Sequence, residues 1–183
     1  MKLYQPVQLP FADRLASITN EYMSQFETSN IHIHHIPIAD DFRQEINSYL
    51  KTKGISNLVN VLCFKRRNSV KSKENCHLDG NSEYVHKCSI VIPVSGCKGT
   101  VQYWFDGDYE SRLMETEEAK SHYLKLRWNN VTLFQEVEIY EQPVLVRTDI
   151  PHNGYTPYNE YRVTVTIRFT DNEDFDYLCK ALS

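Results

Sequence analysis

The chain has 183 residues, 41% of them hydrophobic and 24% charged, with a formal net charge of −4. That length suits one domain with a sizeable core, and the acidic balance offers no basic field to attract nucleic acid or an anionic membrane. No apolar run approaches the roughly 20 residues of a spanning helix, so no membrane partner is expected.

The opening stretch "MKLYQPVQLPFADR" has no continuous apolar core and no small-residue cleavage pattern, so it does not read as a signal peptide. Phe11, Leu15, Ile18, Tyr22 and Phe26 then fall on one helical stripe. "NIHIHHIPI" alternates and predicts a strand, with Ile31 and Ile33 toward the core and His32 and His34 toward solvent rather than on a metal. A second helical stripe carries Phe42, Ile46, Tyr49 and Leu50, with Gly54 as its stop. These 54 residues are expected to form a helical buttress that packs on the outside of the remaining chain.

From Ser56 onward the pattern is nearly all strand. "NLVNVLCFKR", "YVHKCSIVIPV", "GTVQYWF", "YLKLRWNN", "VTLFQEVEIY", "PVLVRT" and "YRVTVTIRF" are rich in β-branched and aromatic residues. Turn chemistry such as "SGCKG" and "NN" separates them. "KRRNSVKSK" (Lys65–Lys73) reads as a solvated loop, and "DGDYE" (Asp106–Glu110) as a polar turn. "DNEDFDYLCKAL" closes the chain as a short amphipathic helix. The order predicts a single domain over 1–183, with a mainly β core at 55–170 between the buttress at 1–54 and a C-terminal helix at 171–183. A jelly-roll, the cupin-like double-stranded β-helix, satisfies that order. The five cysteines are scattered and form no CxxC, which argues for a reducing compartment, with the cytoplasm as the expected location.

In "NCHLDG", His77 and Asp79 are two residues apart, so an extended backbone points both side chains to one face. An imidazole nitrogen and a carboxylate oxygen there can grip one metal ion, with His152 as the natural third ligand. Two histidines and a carboxylate leave open coordination positions, an arrangement that suits non-haem Fe(II). Ten residues after His152, Arg162 opens "YRVTVTIRF". Val163, Val165, Ile167 and Phe169 share one face of that strand; Arg162, Thr164, Thr166 and Arg168 share the other. If the apolar face packs outward, the second lines the interior. A guanidinium there needs an anion, and a ligand carboxylate held by Arg162 and the Thr164 hydroxyl would supply it. Removing Asp79 would take no volume from the core, so its loss is expected to weaken metal binding strongly and spare the fold.

His-x-Asp, a distal His, and Arg-x-Thr ten residues later resemble the 2-oxoglutarate/Fe(II)-dependent oxygenases. The resemblance covers roughly Asn75 to Phe169. It implies a double-stranded β-helix core, iron on His77, Asp79 and His152, and the distal carboxylate of 2-oxoglutarate on Arg162 and Thr164. It also implies succinate and CO₂ as co-products of substrate oxidation. "VIPVSGCKGTV" is similar to a strand-turn-strand of the aspartyl/asparaginyl β-hydroxylase branch. That branch typically lacks the carboxylate ligand present here as Asp79, so its substrate is not carried over. Within the resemblance, Tyr103 is a candidate donor to a 2-oxoglutarate carboxylate, and Lys87 occupies a strand where that branch places basic residues near the co-substrate. Residues 106–128 match no part of either.

Two other classes share the features: a jelly-roll that binds a ligand or partner without turnover, and a cupin-like metal enzyme that uses no oxo acid. The Arg162–Thr164 pair discriminates, since only the 2-oxoglutarate enzyme requires a carboxylate anchor. The substrate, a small molecule or an amino-acid or peptide side chain, and the oligomeric state are not encoded in any motif.

Overall fold

Strict alternation along Arg162–Phe169 decides which way the central strand faces. In the computed structural model, which describes residues 1–26, 32–66, 71–116, 119–138, 142–156, 161–171 and 173–183 (without the side chains of His32 and Val59), that strand lies inside a six-stranded antiparallel sheet. The elements in chain order are β1 (Tyr4–Pro6), α1 (Ala12–Met23), β2 (His32–His35), α2 (Asp40–Thr52), β3 (Leu58–Arg66), β4 (His77–Asp79), β5 (Cys88–Ser95), β6 (Val101–Glu115), β7 (His122–Glu138), β8 (Val144–Arg147), β9 (His152–Tyr155), β10 (Arg162–Phe169) and α3 (Phe175–Ala181). The larger sheet has the order β1-β8-β5-β10-β3-β2, and β4, β7, β6 and β9 close into a small barrel.

One face of the larger sheet carries the main core. Val163, Val165, Ile167 and Phe169 of β10 join Leu15 of α1, Phe42, Ile46 and Leu50 of α2, and Phe175 and Leu178 of α3 in one buried cluster. Each such side chain contributes about 1.5–3 kcal/mol when taken fully from water. The helices therefore lie where their apolar stripes require, on the outside of the sheet. Local signals also set their ends: the Asp174 carboxylate caps α3 by accepting from the Asp176 and Tyr177 amides at 3.0 and 3.1 Å. The other face of β10 turns Thr164, Thr166 and Arg168 inward, and all three are buried. None of the described helices is long and apolar enough to cross a membrane.

Several sequence expectations change here. "DGDYE" is no turn but runs inside β6, and Asn129–Asn130 continue β7 rather than breaking it. The two strands pair from Val101↔Glu138 to Glu115↔His122, so residues 106–115 and 122–128 belong to one long pair of strands. Bulges between Trp104 and Phe105 and between Asp108 and Tyr109 absorb the irregular residues, and the continuous ladder outweighs local turn preference. The basic stretch is not a solvated loop at its start. Lys65 is buried with Nζ donating to Phe26 O at 3.2 Å, and Arg66 enters the interior; residues 67–70 lie outside the described set. His34 does not face solvent but stacks on Phe26, ring centroids 4.4 Å apart, while Ile33 is buried as expected and Ile31 lies outside the described residues. β1, an edge strand carrying Pro6, gave no signal because it is only three residues long.

Candidate metal centre

β4 is three residues long, and its alternation sends Leu78 into the apolar cluster of the small barrel while His77 and Asp79 face the other way. Its neighbours aim it. β7 pairs His77↔Lys125 and Asp79↔Tyr123, and β9 on the other side sets His77 directly opposite His152. The chain must then turn sharply. Gly80 sits at φ 124°, and a Cβ there would lie 2.1 Å from Tyr84 O, so only glycine fits. The Asn81 carboxamide completes the turn by accepting from the amides of Glu83 and Tyr84.

The result is a convergent cluster. One ligand atom from each of His77, Asp79 and His152 lies within 4.8 Å of the others, and the two imidazole centroids are 4.9 Å apart. Both rings are oriented by backbone carbonyls, His152 Nδ1 at 2.9 Å from Ile150 O and His77 Nδ1 at 3.3 Å from Asn75 O. A carbonyl only accepts, so Nδ1 of the neutral His152 ring holds the proton and its Nε2 offers a lone pair, while His77 Nε2 lies 3.5 Å from Asp79 Oδ1. The third group is held as an anion. Burial pushes the Asp79 carboxyl up, but Arg168, then His77 and His152, outweigh it and hold the group well below its ordinary value. Arg168 Nη2 lies 2.9 Å from Asp79 Oδ2, both side chains nearly sealed from water. These donors could hold one metal ion.

Burial, then the neighbouring His77, lowers His152 to about 4, and burial, then Arg168, does the same to His86. The unfolded chain therefore takes up these protons first. Stability of the metal-free protein is expected in full above pH ~6.5 and lost as pH falls through about 4, by on the order of 3 kcal/mol for His152 alone. Thermal melts of chelator-treated protein between pH 7 and 4.5 check this. A His152→Asn variant should show a flatter slope, and an equal slope would refute the assignment.

Beside the cluster lies an inner cavity of about 70 Å³. It is lined by Arg162, Thr164 and Thr166 of β10, Gln102 of β6, and His152 and Gly154 of β9. Burial, then the nearby Arg66, lowers the Arg162 guanidinium to about 10, still charged at neutral pH. Asp149 is not its partner, being held by Arg147 at 2.9 Å, and Glu160 lies outside the described residues. Among the described residues Arg162 makes no ion pair. A Cβ on Gly154 would lie 2.6 Å from Arg162 Nη1, so the guanidinium occupies the space that a glycine leaves. A larger cavity of about 400 Å³ adjoins the inner one and shares Phe64, Arg66, His77, Asp79 and Asn153 with it.

Tyr103 and Lys87 do not line either cavity, although the Tyr103 phenol interacts with Asn153, which lines both, and with Arg162. The Tyr103 hydroxyl donates to Ser72 O at 3.0 Å and accepts from Ser72 N at 3.2 Å, and the ring is wholly buried in the small barrel. Lys87 precedes β5, where its carbonyl accepts from Thr148 N. Trp104 is core, its Nε1 donating to Arg147 O at 3.0 Å. Sequence reasoning missed Arg66, Gly154 and the role of Arg168. Arg168 was visible on the inward face of β10, whereas nothing in "KRR" separated an inward arginine from solvated ones.

Comparison with protein-family models finds no match, and comparison with curated proteins finds none either.

Proposed function

We propose that this chain is an Fe(II)- and 2-oxoglutarate-dependent oxygenase built on a double-stranded β-helix core. The observation that supports it most is Arg162, which makes no ion pair among the described residues and lines the same inner cavity as His77, Asp79 and His152. The donor set fits iron: two imidazoles whose Nδ1 atoms rest on backbone carbonyls, and one carboxylate kept ionised by Arg168. The inner cavity fits the co-substrate's carboxylate end, since the Arg162 fork, the Thr164 hydroxyl and Ser89 Oγ, which has no hydrogen-bond partner among the described residues, all line it. With Fe(II), 2-oxoglutarate and O₂ bound, the chemistry supplied is substrate oxidation coupled to decarboxylation of 2-oxoglutarate to succinate and CO₂. The protein's own part is positional. Ile150 and Asn75 fix the ring orientations, Arg168 fixes the carboxylate, and Phe64, Val91 and Pro93 give the inner cavity apolar walls that limit water. All five cysteines are free thiols, which accords with a reducing, cytoplasmic setting.

Anaerobic titration with Fe(II) and 2-oxoglutarate is the direct test. A weak visible charge-transfer band is expected only when both are present, followed by succinate release in air. Metal binding without that band would favour the cupin-like reading that uses no oxo acid.

Gly154→Ala tests the cavity separately. Its methyl group meets the flexible end of Arg162 at 2.6 Å and Gln102 Oε1 at 3.2 Å, so the guanidinium shifts at little cost to the fold. The expected result is a fall of about tenfold in 2-oxoglutarate affinity, the loss of roughly one charge-assisted hydrogen bond. Metal affinity and melting temperature should change little. Unchanged 2-oxoglutarate affinity would show that the guanidinium does not hold the co-substrate.

A further inference from the structure

We propose that the 400 Å³ outer cavity is the substrate site and takes a small oxyanion-bearing molecule, a carboxylic acid or phosphate ester, with its anion on Arg66 and its reacting end toward the metal cluster. The proposal rests on the oxygenase reading and identifies the substrate class. Arg66 closes β3 directly across from Arg162, and cross-strand partners point to the same face. Two guanidinium groups thus enter one interior, an arrangement that is repulsive without anions. Neither gives up its proton at neutral pH.

Counting the charges separates their roles. In the oxygenase reading, 2-oxoglutarate spends one carboxylate on Arg162 and Thr164 and the other, with its oxo group, on the metal. No co-substrate anion remains for Arg66. Among the described residues Arg66 makes no ion pair, and its Nε is buried with no hydrogen-bond partner. Its guanidinium lies 5.2 Å from the centroid of the Phe64 ring, which helps to fix its direction. Arg162 lines only the inner cavity, whereas Arg66 lines both. The acids around the outer cavity have nearer partners: Asp79, which also attracts Arg66 through space, is paired with Arg168, and the Glu74 carboxylate is bonded to the Ser72 hydroxyl. Lys125 adds a further positive charge at its wall. The volume lies within the range of small-molecule sites, about 300–1,000 Å³.

The test uses the oxyanions themselves. Protein loaded with Mn(II), a redox-silent stand-in for iron, and saturated with 2-oxoglutarate is titrated calorimetrically with acetate and, separately, inorganic phosphate. Wild type is expected to bind at least one of them at millimolar concentrations, and the tighter one assigns the class. Arg66→Gln is expected to weaken that binding about tenfold or more while keeping 2-oxoglutarate affinity within about threefold. Arg66→Lys keeps the charge without the fork and should fall between the two. The proposal is overturned if wild type binds neither probe, if Arg66→Gln binds as wild type does, or if Arg66→Gln loses 2-oxoglutarate as Arg162→Ala does. Failure of wild type to bind 2-oxoglutarate sinks the oxygenase reading instead. The anion titration repeated in an Arg162→Ala background, with and without Arg66→Gln, then decides Arg66 alone.

Discussion

Replacing Arg162 with alanine is expected to weaken 2-oxoglutarate binding by about ten- to a hundredfold or more, with metal affinity unchanged. Charge-assisted hydrogen bonds contribute roughly 1.5–3 kcal/mol each, and 1.4 kcal/mol is a factor of ten. The metal ligands lie on β4 and β9 and do not depend on this side chain for their orientation. Stability should not fall in parallel. Arg162 faces Arg66 across the ladder and makes no ion pair among the described residues, so its removal relieves a like-charge pair. The metal-free variant is therefore expected to melt at or above the wild-type temperature. Arg162→Lys should recover only part of the affinity, because an ammonium cannot reproduce the fork. Calorimetric or competition binding to metal-loaded protein reads the effect. Equal affinity for wild type and Arg162→Ala would remove Arg162 from the site.

Asp79→Ala is expected to lose both metal and fold stability. The sequence alone predicts an intact fold, on the ground that a lost ligand takes no core volume. The structure overturns the premise of that expectation, because Asp79 Oδ2 is the ion-pair partner of Arg168 at 2.9 Å. Truncating one member of a buried pair leaves the other charge uncompensated, at a cost of about 3–5 kcal/mol. For a chain of this size that is a drop of roughly 6–20 °C in melting temperature. The double variant Asp79→Ala/Arg168→Met should regain most of the stability and none of the metal binding, since it removes both charges together. Equilibrium dialysis and thermal melts on the single and double variants separate the two roles. A single variant that melts with wild type would show that the pair contributes nothing to the fold.

What depended on local spacing was legible in the sequence. The period of two in "YRVTVTIRF" separated Val163, Val165, Ile167 and Phe169 from Arg162, Thr164, Thr166 and Arg168, and the structure buries the first set against helices and turns the second inward. The spacing of His77 and Asp79 likewise put both on one face. The helical stripes found their sheet. Each of these comes from backbone geometry over a few residues, which the chain carries wherever it goes. The turn signals in "DGDYE" and "NN" were local as well, yet the long β6–β7 ladder overrode them.

Only the tertiary structure decided what meets across strands. His152 lies 75 residues beyond His77 and reaches it because β9 pairs with β4. Arg66 reads as one more basic residue in "KRR" until β3 pairs with β10 and sets it opposite Arg162. Arg168 becomes the partner of Asp79, and Gly154 the space for Arg162, by the same closure. Alternation tells which face a side chain takes, but register and strand order tell what stands across from it. Those depend on pairings between distant segments, and on the burial of all of them at once, which no stretch of the sequence contains by itself.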